Sequence, residues 1–435
     1  MRGIKRLPAL SQHAPSRYFL LFIVLFTQGF PLGLFFIAIP TWLAANGVAP
    51  GLIGGYVGAA TLPWSFKFLA GLLIDRYPYL PMGKRRAWLL LSQILIVASL
   101  LSSAYAAPAA SEVTMLAAIA FAVNAACAFQ DAAINGMAVD LVPDDERARA
   151  NGILIAGEAL GTAIGTGLSG ILLARIGVDA ALGLMALFVV LAVSLLLITR
   201  ERPGERLLPW TSGVASQETR AHTAQAWGPL LRAVWSAIRR RDSILLAAAL
   251  MLMGFTYGLY VVIAPVISIN FGGWSDEDFS ALNGLASLVA AVAGMLVFGG
   301  LVDRIGTRIG GTVGMLSYAL IGVVFVLMAP YWDAPSVFVI LIFTAFLTDA
   351  LMRVATYATA MRMCDLRVAA TQYALYLALI SVGTIASGVM VGWLDDNGGT
   401  TLILLVGSGA GLLGTIAFWV IRAPAQSAEA PRNAF

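Results

Sequence analysis

The chain has 435 residues, 60% of them hydrophobic and 11% charged, with a formal net charge of +4. Soluble domains carry about 25% charged residues, so this composition excludes an ordinary soluble fold and indicates a polytopic membrane protein. The basic balance reflects where the arginines sit along the chain, as set out below, and not a nucleic-acid partner. The 44 glycines suit close helix packing in lipid. Cys127, in an apolar stretch, and Cys364, in a basic turn, imply neither a disulfide framework nor a metal cluster. His13 and His222 lie in polar segments, so no histidine is available for a proton relay in the membrane.

Arg2, Lys5 and Arg6 open the chain, but no short apolar core with a small-residue cleavage site follows. The apolar run from Tyr18 is long enough to span, so a cleaved signal peptide is not expected. At ~20 apolar residues per span, the sequence predicts twelve helices: Tyr18–Ala45, Leu52–Ile74, Ala87–Ala106, Val113–Leu141, Asn151–Ala174, Ala180–Thr199, Ile244–Ile269, Phe279–Val302, Gly311–Pro330, Ser336–Met361, Ala369–Leu394 and Thr400–Ile421. The expected fold is an all-α membrane protein. A tail (1–17) precedes a six-helix bundle (18–199), a central loop (200–243), a second six-helix bundle (244–421) and a final tail (422–435).

All but three of the 27 lysines and arginines fall on one side of this arrangement. Arg175 lies on the other side, with Glu112, Asp276, Glu277, Asp278, Asp333, Asp395 and Asp396; Lys67 and Arg353 fall inside helices. An odd helix count would scramble this partition. The positive-inside rule then places both termini in the cytoplasm. In the central loop, Trp227, Leu230, Leu231, Val234, Trp235 and Ile238 recur at three- and four-residue spacing beside Arg239, Arg240 and Arg241. That pattern predicts an amphipathic helix on the inner membrane surface.

The halves repeat. Gly29-Phe30-Pro31-Leu32-Gly33-Leu34 with Pro40 matches Gly254-Phe255-Thr256-Tyr257-Gly258-Leu259 with Pro265. Gly71-Leu72-Leu73-Ile74-Asp75-Arg76 matches Gly299-Gly300-Leu301-Val302-Asp303-Arg304, and Asp131 falls opposite Asp349. Parallel six-helix repeats are a transporter architecture with the substrate site near the midplane between them. The Gly-x-Leu-x-Asp-Arg turns resemble the loop signature of the major facilitator superfamily. The copy at Asp303-Arg304-Ile305-Gly306-Thr307-Arg308 is close to the usual form; the first is stretched by six residues before Gly83-Lys84-Arg85-Arg86. Asp75 ends one helix on the side where the eleventh begins, near Ala369, with a positive N-terminal dipole. A gate of Asp75, Arg76, Arg85, Arg86, Asp303, Arg304 and Arg308 is therefore expected, with a plain positive-inside anchor as the alternative.

A closer resemblance is carried by Leu62-Pro63-Trp64-Ser65-Phe66-Lys67-Phe68-Leu69, Gly83-Lys84-Arg85-Arg86-Ala87-Trp88-Leu89-Leu90, Gln130-Asp131, Asp140-Leu141-Val142-Pro143 and Ala370-Thr371-Gln372-Tyr373-Ala374-Leu375. These stretches resemble the AmpG-type muropeptide permeases and their acetyl-CoA-transporter relatives. The resemblance implies proton-driven import of cell-wall sugar–peptide fragments across a bacterial inner membrane. Relatives that carry siderophores or acyl-CoA keep other substrates open. Asn135 departs from the pattern, since members of the branch often carry a second acid there.

An ionisable group at membrane depth is a functional-site hypothesis by default. Lys67, Asp131, Glu158 and Arg353 all fall about 10–14 Å from the basic side at 1.5 Å per residue, with Asp349 one turn further in. Three acids and two bases leave one surplus negative charge, which one proton neutralises. Asp131 or Glu158 is expected to take that proton, with Lys67 switching partners. Asp349 and Arg353, at i and i+4, form a local pair or contact substrate. Gln28, Trp64, Asn124, Gln130, Tyr257, Tyr260, Tyr373 and Tyr376 are the candidate substrate contacts, with helix packing as the alternative for each. No cofactor or metal is expected; the partners are a small-molecule solute, protons and the bilayer, and the protein is expected to be monomeric. No Walker loop supports ATP-driven transport, and no catalytic cluster supports an enzyme. A membrane sensor that kept the fold is the reading from another class.

Overall fold

The computed structural model describes residues 9–46, 48, 50–221, 226–274 and 276–421. Arg2, Lys5, Arg6, His222, Arg422 and Arg432, and with them most of the basic tails, lie outside the described residues. Twelve helices are long and apolar enough to cross a membrane, and no strand occurs among the described residues. They are α1 (Ala14–Ala38), α2 (Tyr56–Arg76), α3 (Arg86–Ala106), α4 (Val113–Leu141), α5 (Asp144–Leu173), α6 (Val178–Ile198), α7 (Arg241–Ser268), α8 (Leu282–Ile305), α9 (Thr307–Leu327), α10 (Pro335–Met363), α11 (369–398) and α12 (400–419). The last two are arms of one hydrogen-bonded run, Ala369–Trp419, interrupted only at Gly399. There φ is 59° and ψ −159°, a conformation essentially confined to glycine. The expected loop before Thr400 is thus compressed to a single residue.

Prolines and wide turns bend the helices where the sequence placed them. In α1 the amide of Ile39 bonds the carbonyl of Leu34, an i→i+5 turn. The carbonyl of Phe35 would then need the amide of Pro40, which has none. The Tyr56 hydroxyl donates to it instead, at 2.9 Å. A matching wide turn in α8 joins Gly299 to Gly294, and the carbonyl of Gly294 lies directly against Gly152 of α5.

One side of the bundle carries the central loop and the helix Trp227–Ile238; we call it the loop side. An apolar core of Phe30, Leu34, Tyr56, Ile96, Leu100 and Met185 belongs to the first half alone, towards the far side. The larger core runs from Leu21, Ile74 and Met137 of the first half to Met361, Ala370 and Tyr373 of the second. The halves are therefore fused on the loop side. Leu91, Ile94 and Leu95 on α3, Leu187 and Leu191 on α6, and Ile340 on α10 are all exposed. Exposed apolar faces on fully hydrogen-bonded helices are what a hydrocarbon solvent requires.

Candidate functional site

The site starts from a break in α2. Pro63 lacks an amide proton, and helical geometry fails three residues later at Phe66 (φ −109°, ψ 12°). Helix resumes at Lys67. An ammonium at a helix start opposes the dipole, but Asp131 of α4 receives it: Lys67 Nζ donates to Asp131 Oδ2 at 3.0 Å, and both side chains are largely buried. The Lys67 ammonium also lies 5.7 Å from the Trp64 ring centroid, and Trp64 Nε1 donates to Asn124 Oδ1 at 2.9 Å.

Across the interface, Arg353 Nε donates to Asp349 Oδ2 at 2.7 Å. Its guanidinium sits 4.5 Å from the Tyr257 ring centroid and reaches the Tyr357 hydroxyl at 3.3 Å. Between these pairs lies Glu158 of α5, within electrostatic reach of Asp131, Lys67 and Arg353. Among the described residues it makes no ion pair of its own. Lys67, Asp131, Glu158 and Arg353 line one cavity of about 490 Å³, together with Trp64, Asn135, Asn151, Tyr257, Tyr357, Tyr373, Ser381 and Thr384. Asp349 faces a second, smaller cavity inside the C-terminal half. The charge layer read from depth alone is thus split by the Arg353–Asp349 pair, with Asp349 behind it.

The other candidate contacts divide. Trp64, Tyr257 and Tyr373 line the cavity. Gln130 Nε2 donates to Gln28 Oε1 at 2.9 Å, so these two amides join α4 to α1 and do not reach the cavity. Asn124 meets it only through Trp64. Tyr260 is packed, its hydroxyl donating to the Ala319 carbonyl at 3.1 Å, and it lines the smaller cavity. Tyr376 is held by Ser243 and Gln372. Tyr357, Asn135, Asn151, Ser381 and Thr384 are lining residues absent from the sequence-derived set. Tyr357 lies four residues after Arg353, on its face; that spacing was a usable signal.

On the loop side the cavity is closed by the repeated turns. Asp75 Oδ2 accepts the Thr371 amide at 2.9 Å and the Thr371 hydroxyl at 2.8 Å, capping the start of α11. Asp303 accepts the amides of Ala148 and Arg149 at 3.0 and 3.1 Å, capping the start of α5. Each contact crosses from one half to the other. Each also needs its glycine, because a β-carbon on Gly71 would lie 2.8 Å from the Ala370 carbonyl, and one on Gly299 2.7 Å from Arg149 Cα. Gly-x-x-x-Asp is therefore one device used twice: glycine admits the neighbouring helix end and aspartate binds it.

Arg85 clamps the first copy, donating to Asp75 at 2.5 Å and Asp140 at 2.8 Å. Burial disfavours its charge, but Asp140 and Asp75 outweigh burial and keep it protonated. Burial lowers the Lys84 ammonium from its ordinary value, although Asp140 lies 3.5 Å away.

The remaining members of the expected gate do other work. Arg86 donates to the carbonyls that end α6, at 2.6 Å for Leu196, and Arg308 does the same for Trp419 of α12 at 2.7 Å. These are matching contacts within each half, where a cation meets the negative end of a helix. Arg76 stacks on Tyr77, 4.8 Å from its centroid. Arg304 is exposed. Seam contacts outside the expected set come from Lys84 to the Leu366 carbonyl, Arg147 to Met361 at 2.9 Å and Arg362 to Asp144 at 2.5 Å. Towards the far side the cavity wall ends at the exposed residues Thr61 and Ile385.

Residues 21–388 match the Major Facilitator Superfamily. The anhydromuropeptide permease of Escherichia coli (strain K12) is 25% identical over 417 residues, covering 93% of this chain and 79% of the relative. Among solved structures, the human organic anion transporter MFSD10 (TETRAN) superposes with a TM-score of 0.71 at 15% identity, covering 93% of this chain and 99% of that one. A bacterial homologue of the iron transporter ferroportin, in an outward-facing state, gives 0.68 at 16% identity, covering 94% and 99%. The twelve spans, the paired halves and the match across most of the chain identify it as a multi-pass membrane transporter of small molecules, not an enzyme, belonging to the Major Facilitator Superfamily.

Proposed function

We propose that the chain is a proton-coupled carrier that imports cell-wall anhydro-sugar peptides by alternating access. The observation that carries this reading is the Lys67–Asp131 pair with Glu158 beside it, in a cavity between the halves that is closed on the loop side. The cavity offers what such a solute needs. Trp64, Tyr257, Tyr357 and Tyr373 supply faces for a sugar ring. Lys67 and Arg353 supply cations for peptide carboxylates, and Asn135 and Asn151 supply amides. The likeness to the anhydromuropeptide permease over nearly the whole chain supports the same substrate class.

The proton is taken by Asp131 or Glu158. Lys67 bonds Asp131 and stands within electrostatic reach of Glu158; protonating Asp131 frees it for Glu158, and protonating Glu158 leaves it committed to Asp131. That is a two-state element whose equilibrium a proton biases. The loop side is the cytoplasmic face, as the positive-inside rule requires. Asp75 with Arg85, and Asp303, form the cytoplasmic gate. Releasing both caps opens the cavity inward. The test is a ligand-stabilisation screen on purified protein with anhydromuropeptides, siderophores and acyl-CoA. Stabilisation by the anhydromuropeptides alone supports the reading. A response to one of the other classes, with none from the muropeptides, overturns it.

A further inference from the structure

The helix Trp227–Ile238 has one buried face and one exposed face. Its buried face, Leu230, Ala233 and Val234, packs on Val368 at the start of α11 and against Leu72 of α2 and Leu375 of α11. Leu72 lies three residues before Asp75, and Val368 three before Thr371. The helix therefore straddles the turns whose contact, Asp75 on the Thr371 amide, closes the seam. Trp227 also meets Tyr77 and Arg76 just past Asp75.

Its other face is apolar and exposed, with Trp227 at its edge against Tyr77 and Arg76. Trp227, Leu231 and Trp235 recur every fourth residue and are 40%, 51% and 61% exposed. Beside them stand Arg232, Arg239, Arg240 and Arg241, all exposed. Arg239 lies over the Trp235 ring at 5.4 Å, and none of the four forms an ion pair among the described residues. An apolar stripe flanked by unpaired cations is the signature of a helix lying in an anionic membrane surface. Water would leave the stripe exposed, and a neutral lipid surface would leave the arginines unmatched.

We infer that anionic phospholipid headgroups bind this helix and thereby hold the α2–α11 seam shut, so that the carrier's resting conformation depends on the charge of the leaflet it faces. The inference rests on the reading of Asp75 and Thr371 as the closing contact. Lipid held by Arg239, Arg240 and Arg241 fixes the helix in the membrane plane. Its buried face then clamps both halves together.

The buried Cys364, in the turn before α11, reports the seam, and the buried Cys127 of α4 is the internal control. The full chain is placed in nanodiscs of phosphatidylcholine with or without phosphatidylglycerol, and maleimide labelling of both cysteines is followed. The expected result is Cys364 labelling several-fold slower with phosphatidylglycerol, and Cys127 unchanged. Replacing Arg239, Arg240 and Arg241 by Gln should abolish the difference between the two lipids. Equal labelling in both lipids overturns the inference, as does an Arg→Gln effect of the same size in both. So does a rescue in phosphatidylcholine by soluble glycerol phosphate, which would make the site one for a free anion. Asp75→Asn should speed Cys364 labelling in either lipid. If it does not, the gate reading itself has failed; if it does while lipid has no effect, only the lipid inference has.

Discussion

Lys67 and Asp131 each depend on the other to be tolerated inside the membrane. Removing one partner of a buried pair leaves an uncompensated charge, at about 3–5 kcal/mol. Lys67→Met should therefore destabilise the purified protein by about that amount, and combining it with Asp131→Leu should restore most of the loss. Thermal unfolding of the three variants in one detergent measures this; an additive double variant would show that the pair is not coupled.

A second residue-scale expectation concerns Glu205, beyond the end of α6. It accepts the Thr219 hydroxyl at 2.9 Å and its partner Arg202's amide at 3.0 Å. Burial, then the neighbouring Glu201, raises it from an ordinary 4.5 to about 7. The Thr219 hydroxyl, then the Arg202 amide and guanidinium, oppose the shift only in part. A raised folded value means that the docked arm favours the protonated acid. Its stability is therefore greatest below about 4.5 and declines as pH rises through 7. Hydrogen exchange of residues 201–219, corrected for intrinsic rate, should be faster at high pH in the wild type and lose that dependence in Glu205→Gln.

At the scale of elements, two features set the site. Pro63 breaks α2, so that Lys67 begins a new helix next to α4. The paired glycines admit the ends of α11 and α5. Gly71→Val places a β-carbon 2.8 Å from the Ala370 carbonyl oxygen, closer than contact distance, so the seam must open to accommodate it. We expect Cys364 to label several-fold faster in that variant with Cys127 unaffected; unchanged labelling would mean that the seam tolerates the added volume. The sequence made much of this legible. Apolar run lengths and arginine placement specify twelve spans and one basic side, because both are properties of depth along the membrane normal. The repeat singled out Asp75 and Asp303 because the same turn is used twice. Rotation about a helix axis was not legible in the same way. Gln28 and Gln130 share the depth of the charge layer yet face each other, and Asp349 faces away from the main cavity. Arg86 and Arg308 lie on the expected side, but depth does not distinguish a seam from a helix end within one half.

The whole molecule is a pair of halves fused on one side. The two caps are equivalent under the internal repeat, so losing either should weaken closure and losing both should weaken it further. Asp75→Asn and Asp303→Asn should each raise Cys364 labelling, and the double variant should exceed either. A double variant no faster than Asp75→Asn alone would make the second cap passive. In the proposed function, a proton drives the exchange between this closed state and the one open on the loop side.

That is the central claim, and one measurement tests it most directly. The purified chain is reconstituted in proteoliposomes, and uptake of an anhydromuropeptide is recorded with and without an imposed pH gradient, for wild type and Asp131→Asn. The account predicts accumulation by the wild type that collapses when the gradient is dissipated. It also predicts at least about a tenfold loss of gradient-driven uptake in the variant, equivalent to about 1.4 kcal/mol and below the roughly 3–5 kcal/mol of a broken buried pair. Uptake in Asp131→Asn that keeps the wild-type rate and the wild-type response to the gradient would contradict it.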